Sequence, residues 1–354
     1  MPAEHPGDHP GDPPGYLRIA TEEAFATPEI LAAWREMLDS GTVDDPGFRS
    51  LWGFYLYSDA ERPRSLRERL VDLGERRLAD MDAAGIDQQI ISLTAPGPQI
   101  FDAGRGSAMA ALANDQLAEA CRRHPGRFCG LTAIAPQDPE RAAVEIERGA
   151  RSLGFKGVII NSHTRDEYLD DPKFWPVLEA AEALDTPVYL HPNTPSRGLI
   201  EPMLAAGLDG AIFGFGVETG LHLLRMIVAG VFDRFPRLRL VAGHLGEALP
   251  FWAARLDYMH AATVRSRRYP QLRELQARPS DYLRRNVWVT TSGMAWPPAI
   301  MFTREVLGGD RVLYAMDYPY QYVAAEVTAQ DELPLGPADK KAFFQTNAEH
   351  VFRL

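Results

Sequence analysis

Five acidic or imidazole side chains stand where short apolar runs end, in a pattern that suits a divalent metal ion. They are Glu22, His163, His191, His244 and Asp317, in the segments T-E-E-A-F, N-S-H, Y-L-H-P, A-G-H-L-G and A-M-D-Y-P. Carboxylate and imidazole groups together form a ligand set for such ions. One strand-end histidine is more often structural, but five groups of this kind at five strand ends indicate a metal site.

The runs themselves are the predicted strands of an alternating β/α chain. Eight candidate strands are short, apolar and rich in β-branched residues, as is typical of parallel strands buried on both faces. They are Leu17–Phe25, Gln88–Thr94, Phe128–Ala135, Gly157–His163, Val188–His191, Leu238–His244, Val287–Ser292 and Val312–Asp317. Helix-period segments separate them, most clearly Leu66–Ala84, Ser107–Arg123, Pro139–Leu153 and Gly220–Phe232.

This alternation predicts a (β/α)8 TIM barrel, whose active sites are built at the carboxyl ends of the strands. The five polar side chains would then meet at one mouth. A doubly wound open sheet is the alternative, and it is disfavoured because no glycine-rich phosphate turn follows the first strand.

The predicted organisation is a single domain with a short tail before it. Residues 1–15 repeat H-P-G-D, and this density of proline and glycine predicts a flexible tail. Residues 16–354 form the barrel domain. Between the first helix and Leu66, an aromatic-rich insert at about residues 40–65 is expected to be a loop or cap.

Composition narrows the class of protein. Of the 354 residues, 45% are hydrophobic and 24% are charged, as in ordinary globular chains. The net charge of −11 argues against nucleic-acid binding, which depends on a basic face. No run of apolar residues is long enough to span a membrane, and no secretory signal is recognisable. With only Cys121 and Cys129, a disulfide framework is not expected, so we predict a cytoplasmic location.

Longer motifs carry a family resemblance. The runs L-R-I-A-T-E-E-A-F-A-T (17–27), S-L-W-G-F-Y (50–55), D-L-G-E-R-R-L-A-D-M-D (72–82), G-L-D-G-A-I-F-G-F-G-V-E-T-G (207–220), G-H-L-G-E-A-L-P (243–250) and Y-A-M-D-Y-P-Y-Q-Y (314–322) are similar to the amidohydrolase superfamily. They are most similar to its metal-dependent aromatic acid decarboxylase branch, and within it to the 5-carboxyvanillate decarboxylases. The resemblance extends over essentially everything after residue 15 and implies a barrel of the amidohydrolase type.

The resemblance also implies a metal site. Hydrolytic members of the superfamily open with a His-x-His pair on the first strand, where this chain has Glu22 and Ala24. One ligand is therefore missing, which leaves room for one metal ion and matches the decarboxylase branch. The implied ligands are Glu22, His191 and Asp317. The implied ion is Mn²⁺, although this ligand set also suits Mg²⁺ and does not exclude Zn²⁺.

Further residues are assigned to the substrate by the resemblance. His244 is implied to contact the substrate and to act with Asp317 in catalysis, and the flanking Gly243 and Gly246 are expected to let the substrate approach. The implied substrate-binding residues are Tyr55, Arg62, Thr94, Phe215, Arg255 and Tyr320. A guanidinium such as that of Arg62 suits a carboxylate. Asn161 and His163 are expected to support the site, and His222 to pack in the core.

Arg255 lies on a predicted helix that a barrel places on its outside. In relatives, an arginine at this spacing reaches into the neighbouring subunit's site. The resemblance therefore implies a homodimer or a dimer of dimers. The alternative, that Arg255 is a solvent-exposed surface residue with no role in the site, stays open.

The function implied is the non-oxidative decarboxylation of an ortho-hydroxy aromatic acid, with 5-carboxyvanillate expected as the substrate, within the catabolism of aromatic compounds such as those from lignin. Asp317 would protonate the ring carbon that carries the carboxylate. A related phenolic acid decarboxylase, acting on γ-resorcylate or 2,3-dihydroxybenzoate, is one alternative. A mononuclear metal hydrolase or hydratase of the same superfamily is another, and a non-catalytic binding barrel is a third.

Overall fold

Parallel strands form the centre of the chain. The computed structural model describes residues 15–354, so the predicted tail lies, apart from Gly15, outside the described residues. The strands are β1 (Ile19–Phe25), β2 (Gln88–Leu93), β3 (Phe128–Gly130), β4 (Thr132–Ala133), β5 (Val158–Asn161), β6 (Val188–His191), β7 (Leu240–Ala242), β8 (Val287–Thr290) and β9 (Val312–Leu313). Each predicted strand is present, and the predicted strand Phe128–Ala135 is divided into β3 and β4.

The strands follow one another around the sheet in chain order. Parallel ladders join β1 to β2 and β2 to β3, and a second series joins β4 through to β9. Thr21 N donates to Tyr314 O, one residue after β9, at 3.1 Å, which connects the first strand to the last. Nine short strands thus occupy the eight positions of a TIM barrel, as predicted. All seven residues of β1 are buried, including Glu22 and Glu23.

Helices surround the strands. They are α1 (Pro28–Ser40), α2 (Pro46–Tyr57), α3 (Glu61–Leu70), α4 (Glu75–Ala84), α5 (Ala103–Arg123), α6 (Pro139–Arg148), α7 (Trp175–Ala183), α8 (Arg197–Ala206), α9 (Gly214–Val228), α10 (Val231–Arg234), α11 (His244–Glu247), α12 (Leu249–Ser266), α13 (Pro279–Asn286), α14 (Pro297–Leu307), α15 (Ala324–Asp331), α16 (Pro337–Lys341) and α17 (Asn347–Phe352). Within the described residues, no helix is both long and apolar enough to cross a membrane.

The aromatic-rich insert is helical, so the prediction of a loop was wrong. The Asp45 side chain caps α2 by accepting from Phe48 N at 2.8 Å, and Pro46 occupies its first turn. Phe48, Trp52 and Leu56 recur every four residues and are buried together on one face. This helical spacing was visible in the sequence, but the high aromatic content obscured it.

The predicted helix Leu66–Ala84 is two helices, α3 and α4, with a break between them. Asp72 Oδ1 accepts from Gly74 N at 2.9 Å, a local turn that competes with helical hydrogen bonding. The fully buried Arg77 donates to Asp72 O at 3.0 Å and to Ala24 O at 2.6 Å. The break therefore lets a buried guanidinium anchor α4 to the end of β1.

Candidate active site

Three of the predicted strand-end side chains meet at the carboxyl end of the barrel. Glu22 lies in β1, His191 ends β6, and His244 comes two residues after β7. The Nε2 atom of His191 is 3.5 Å from Glu22 Oε1, and that of His244 is 4.0 Å from the same oxygen. Glu22 is only 4% exposed, and its Oε1 is buried without a hydrogen-bond partner. An unpaired buried carboxylate oxygen is costly, and a cation would stabilise it.

Asp317 belongs to the same site. It lies four residues after β9 and lines one cavity together with His191 and His244. Burial raises the pKa of Asp317 well above its ordinary value, and the nearby charge of Glu22 raises it further, although His244 opposes the shift. The site thus combines a carboxylate that faces imidazoles with a second carboxyl group in a poorly hydrated setting.

The residues present fit a divalent metal ion by the chemistry of their donor atoms. Across residues 15–354, no three His, Cys, Asp or Glu side chains are gathered tightly enough to enclose an ion. The unpartnered Glu22 Oε1 nevertheless faces His191, whose pKa is lowered chiefly by burial. A neutral imidazole is the form that ligates metals. Glu22 and His191, with Asp317 lining the same cavity as His191, are therefore suitable ligands.

His244 is held by a neighbour that the sequence analysis missed. Glu247 Oε1 lies 2.9 Å from His244 Nδ1, which directs Nε2 toward Glu22. Although burial opposes protonation, the charges of Glu247 and Glu22 raise the pKa of His244 to about 10. The four residues of α11, His244–Glu247, all have positive φ, so this short element is a left-handed turn rather than a regular α-helix.

The two glycines beside His244 lie where a side chain would meet neighbouring protein atoms. A Cβ at Gly243 would lie 2.7 Å from Glu22 Oε2, and one at Gly246 would lie 3.0 Å from a Val289 methyl group. Both positions therefore make room for neighbouring protein atoms. That these glycines also let the substrate approach stays a prediction.

Asp317 is held in place by Glu23, a residue that sequence reasoning also missed. Asp317 has a φ of 71°, an unfavourable value for a non-glycine residue. Glu23 accepts from the backbone N–H groups on either side of it, Met316 at 3.0 Å and Tyr318 at 3.1 Å. The sequence did contain a signal for Glu23, because a second acidic residue is unusual inside a strand that is buried on both faces.

Five of the six predicted substrate residues line the cavity together with His191 and Asp317, two of the predicted metal ligands. The cavity has a volume of about 150 Å³ and opens into a cleft of about 840 Å³ that shares His244, Phe215 and Asp317 with it. The five residues are Tyr55, Arg62, Thr94, Phe215 and Tyr320. Its aromatic walls and few polar groups suit a small aromatic ligand.

The polar groups of this wall are arranged around Tyr320. Its hydroxyl lies 2.5 Å from Thr94 Oγ1, and its ring meets that of Tyr55 edge to face at 6.1 Å. Arg62 also lines the cavity and makes no ion pair within residues 15–354, so its guanidinium is available to an anion there. Thr94 and Tyr320 thus form a fixed part of the wall, beside the unpaired guanidinium of Arg62.

Arg255 is not part of the cavity in a single chain. It lies on the exposed side of α12, beside the exposed aromatic residues Phe251, Trp252 and Tyr258. Phe251 and Trp252 also line the wider cleft that leads to the site. Arg255 therefore lies outside the cavity of its own chain, at the edge of an exposed aromatic surface.

His163 does not converge with the other strand-end residues, so that part of the prediction was wrong. Its Nε2 pairs with Thr194 O at 3.0 Å, and its Nδ1 accepts from Asp166 N at 3.1 Å. Both ring nitrogens are thereby used within the protein. Asn161 ends β5 next to His191 in register, and its backbone N–H donates to Gln99 at 2.6 Å. Both residues support the strand ends.

His222 belongs to a buried polar network behind the loop that follows His191. Its Nε2 accepts from Leu169 N at 3.0 Å, and its Nδ1 lies 3.4 Å from Ser162 Oγ. Glu218 Oε2 accepts from Ser196 N at 3.0 Å, which ties that loop to α9. His222 is therefore packed in the core, as predicted, but with both ring nitrogens engaged.

This network predicts an acid-sensitive contribution to stability. Burial lowers the pKa of His222 from 6.5 to about 3, so the unfolded state binds a proton below pH 6.5 that the folded state excludes. Stability should fall as the pH drops from 6.5, by about 1–2 kcal/mol between pH 6.5 and pH 5. In His222→Gln, whose amide can also accept from Leu169, this part of the decline should vanish. Urea unfolding at both pH values measures it, and parallel declines in the two proteins would contradict it.

Comparison with known proteins places this site in a family. A family model described as Amidohydrolase matches residues 51–354, and the chain belongs to that family. The 5-carboxyvanillate decarboxylase of Novosphingobium aromaticivorans, crystallised with manganese and 4-hydroxy-3-methoxy-5-nitrobenzoic acid, is 57% identical, with a TM-score of 0.94 over 96% of this chain and 97% of that one.

Two further relatives extend the comparison. The 5-carboxyvanillate decarboxylase structure from Sphingomonas paucimobilis is 42% identical and has a TM-score of 0.90, over 96% of this chain and all of that one. The γ-resorcylate decarboxylase of a Polaromonas species is 35% identical over 347 residues, which are 95% of this chain and 98% of the relative. These similarities span the whole barrel.

Proposed function

We propose that this protein is a non-oxidative, metal-dependent carboxy-lyase that converts 5-carboxyvanillate to vanillate and CO₂. The observation that carries the proposal is one cavity lined by His191, Asp317 and Arg62, with Glu22 Oε1 3.5 Å from the Nε2 atom of His191. The chain that builds it is 57% identical to a 5-carboxyvanillate decarboxylase crystallised with manganese. Aromatic walls, a carboxylate-binding cation and a metal-ligand set are together what this reaction requires.

The cofactor is one Mn²⁺ ion, with Glu22, His191 and Asp317 as its protein ligands. Oxygen and imidazole donors suit Mn²⁺, and two of the solved relatives carry manganese. When bound, the ion would supply Lewis-acid chemistry and a template for the phenolate and the adjacent carboxylate.

The side chains of the cavity can bind the substrate and supply the proton that the reaction needs. Arg62 holds the carboxylate that the product retains, and Tyr55, Phe215 and Tyr320 enclose the ring. Asp317, protonated while it stays beside the ion, donates a proton to the ring carbon that carries the carboxylate to be lost. The carbon–carbon bond then breaks, its electron pair returns to the ring, and CO₂ leaves. His244, held by Glu247, faces the same space and can hydrogen-bond the departing carboxylate.

A substrate panel tests the proposal. Purified protein with Mn²⁺ is given 5-carboxyvanillate, γ-resorcylate or 2,3-dihydroxybenzoate, and CO₂ and aromatic products are quantified. A charge-assisted pair with Arg62 contributes about 1.5–3 kcal/mol, so we expect kcat/KM for 5-carboxyvanillate to exceed the others by about 10- to 100-fold. A preference for γ-resorcylate would favour the related decarboxylase, and water incorporation without CO₂ release would favour a hydrolase or hydratase.

The assembly is proposed to be a homodimer or a dimer of dimers in which Arg255 enters the neighbouring site. Its support is the exposed position of Arg255 among Phe251, Trp252 and Tyr258, at the edge of the cleft. A contiguous exposed apolar surface is typical of an interface. In a symmetric dimer each chain lends and receives the same residue.

Mixed dimers test this arrangement. Arg255→Ala and Asp317→Asn are each expected to be inactive alone. Co-assembled, one of the two sites of a mixed dimer combines an intact Asp317 with an arginine from the Asp317→Asn chain, so partial activity should return. If verified mixed dimers stay inactive, Arg255 serves the site of its own chain. Arg255→Ala protein that is active alone would place Arg255 outside the site. Dimers carrying both substitutions on one chain and none on the other provide the matched control.

A further inference from the structure

The two oxygens of the Glu22 carboxylate have different surroundings. Oε1 faces the histidines and has no hydrogen-bond partner. Oε2 accepts hydrogen bonds from two hydroxyl groups, the phenol of Tyr189 and the Thr290 Oγ1 at 2.7 Å. Tyr189 is 1% exposed and Thr290 is 0% exposed, so neither hydroxyl competes with bulk water. One oxygen of the carboxylate is therefore fully engaged and the other is free.

These donors come from strands that also build the site. Tyr189 lies two residues before His191 in β6, and residues at this spacing point to the same face of a strand. Thr290 ends β8, and the two hydroxyl groups are 3.1 Å apart. The phenol and the imidazole of β6 thus reach opposite oxygens of one carboxylate.

The backbone closes another side of this carboxylate. Gly243 has no side chain, and a Cβ there would lie 2.7 Å from Oε2 and 3.0 Å from Oε1. Rotating the carboxylate would remove Oε2 from both hydroxyl donors. The surroundings therefore select one orientation.

We propose that Tyr189 and Thr290 are positioning residues of the metal site, which hold Oε2 so that Glu22 presents only Oε1 to the cation. This inference rests on the proposed metal-dependent function. Partners of this kind orient a ligand and typically change metal affinity by about 10- to 100-fold when removed. A merely structural role, satisfying a buried carboxylate, would alter stability without altering affinity.

Manganese titration of the metal-free protein tests the inference without an activity assay. Free Mn²⁺ is measured by its EPR signal in wild type, Tyr189→Phe, Thr290→Val and Thr290→Ser. We expect the Kd to rise by about 10- to 100-fold in Tyr189→Phe and Thr290→Val. Thr290→Ser retains the hydroxyl and should remain close to wild type. Because both hydroxyl groups donate to one oxygen, the double variant should not show additive losses.

Tyr314→Phe is the matched control. Tyr314 is another buried tyrosine of the barrel, and its hydroxyl makes no hydrogen bond within the described residues. Its removal should leave the affinity unchanged. Wild-type affinity in both Tyr189→Phe and Thr290→Val would overturn the positioning role but leave the proposed metal site intact. A wild-type protein that binds no Mn²⁺ would overturn the proposed metal site and this inference with it.

Discussion

Asp317→Asn is expected to fold normally and to lose at least about 100-fold in kcat, since general acid catalysis contributes roughly 10²–10⁴-fold. The amide has the shape of the carboxyl group but no acidic proton for the ring. Asparagine also tolerates positive φ better than most residues, so the backbone at 71° should be preserved. The measurement is the initial rate of vanillate formation at saturating 5-carboxyvanillate, with thermal unfolding as the test of folding.

The control for this substitution is Asp310→Asn. Asp310 is an exposed residue just before β9 that pairs with Arg311 at 3.2 Å, and it lies outside the cavity. Its variant should turn over like the wild type. Residual activity above about one per cent in Asp317→Asn would contradict the role of Asp317 as the proton donor.

His191→Ala is expected to lose both metal and activity. The substitution removes the neutral imidazole that faces the free oxygen of Glu22 at 3.5 Å. Losing a direct ligand should cost at least as much affinity as the 10- to 100-fold typical of an outer-sphere partner. Metal content after gel filtration and kcat at saturating Mn²⁺ measure the two effects separately.

His124→Ala is the matched control for that variant. His124 follows α5, and its ring packs on Phe128 away from the site. This variant should keep its metal and its rate. Full metal occupancy in His191→Ala would remove His191 from the ligand set, whatever the rate.

The barrel could be predicted from the sequence because parallel strands buried on both faces leave a local signature. Runs such as Val188–His191 and Val287–Thr290 are short, apolar and β-branched, and helical segments separate them. The polar residues at their ends then follow from the rule that barrel sites lie at the carboxyl ends of strands. Glu22, His191, His244 and Asp317 were found in this way, and the long family motifs located the cavity wall.

The insert shows where composition misled the prediction. Residues 46–57 are rich in aromatics, which suggested a loop or cap, but Phe48, Trp52 and Leu56 form one buried face of a helix. The capping aspartate and the proline after it were also present in the sequence. The local sequence was therefore sufficient to predict this helix, since the four-residue spacing of its apolar residues is a stronger indicator than its aromatic content.

The sequence by itself determined the barrel and which strand ends carry chemistry, since both depend on local patterns. Only the tertiary structure decided which of those groups face one another. The partners of Glu22 come from positions 167 and 268 residues away, Tyr189 and Thr290, and no periodicity links them. His163 ends a strand like the others, yet its ring turns to Thr194 O. Hydrogen bonds between residues distant in sequence determine which of these side chains meet, because buried polar atoms need partners and those partners come from other strands and loops.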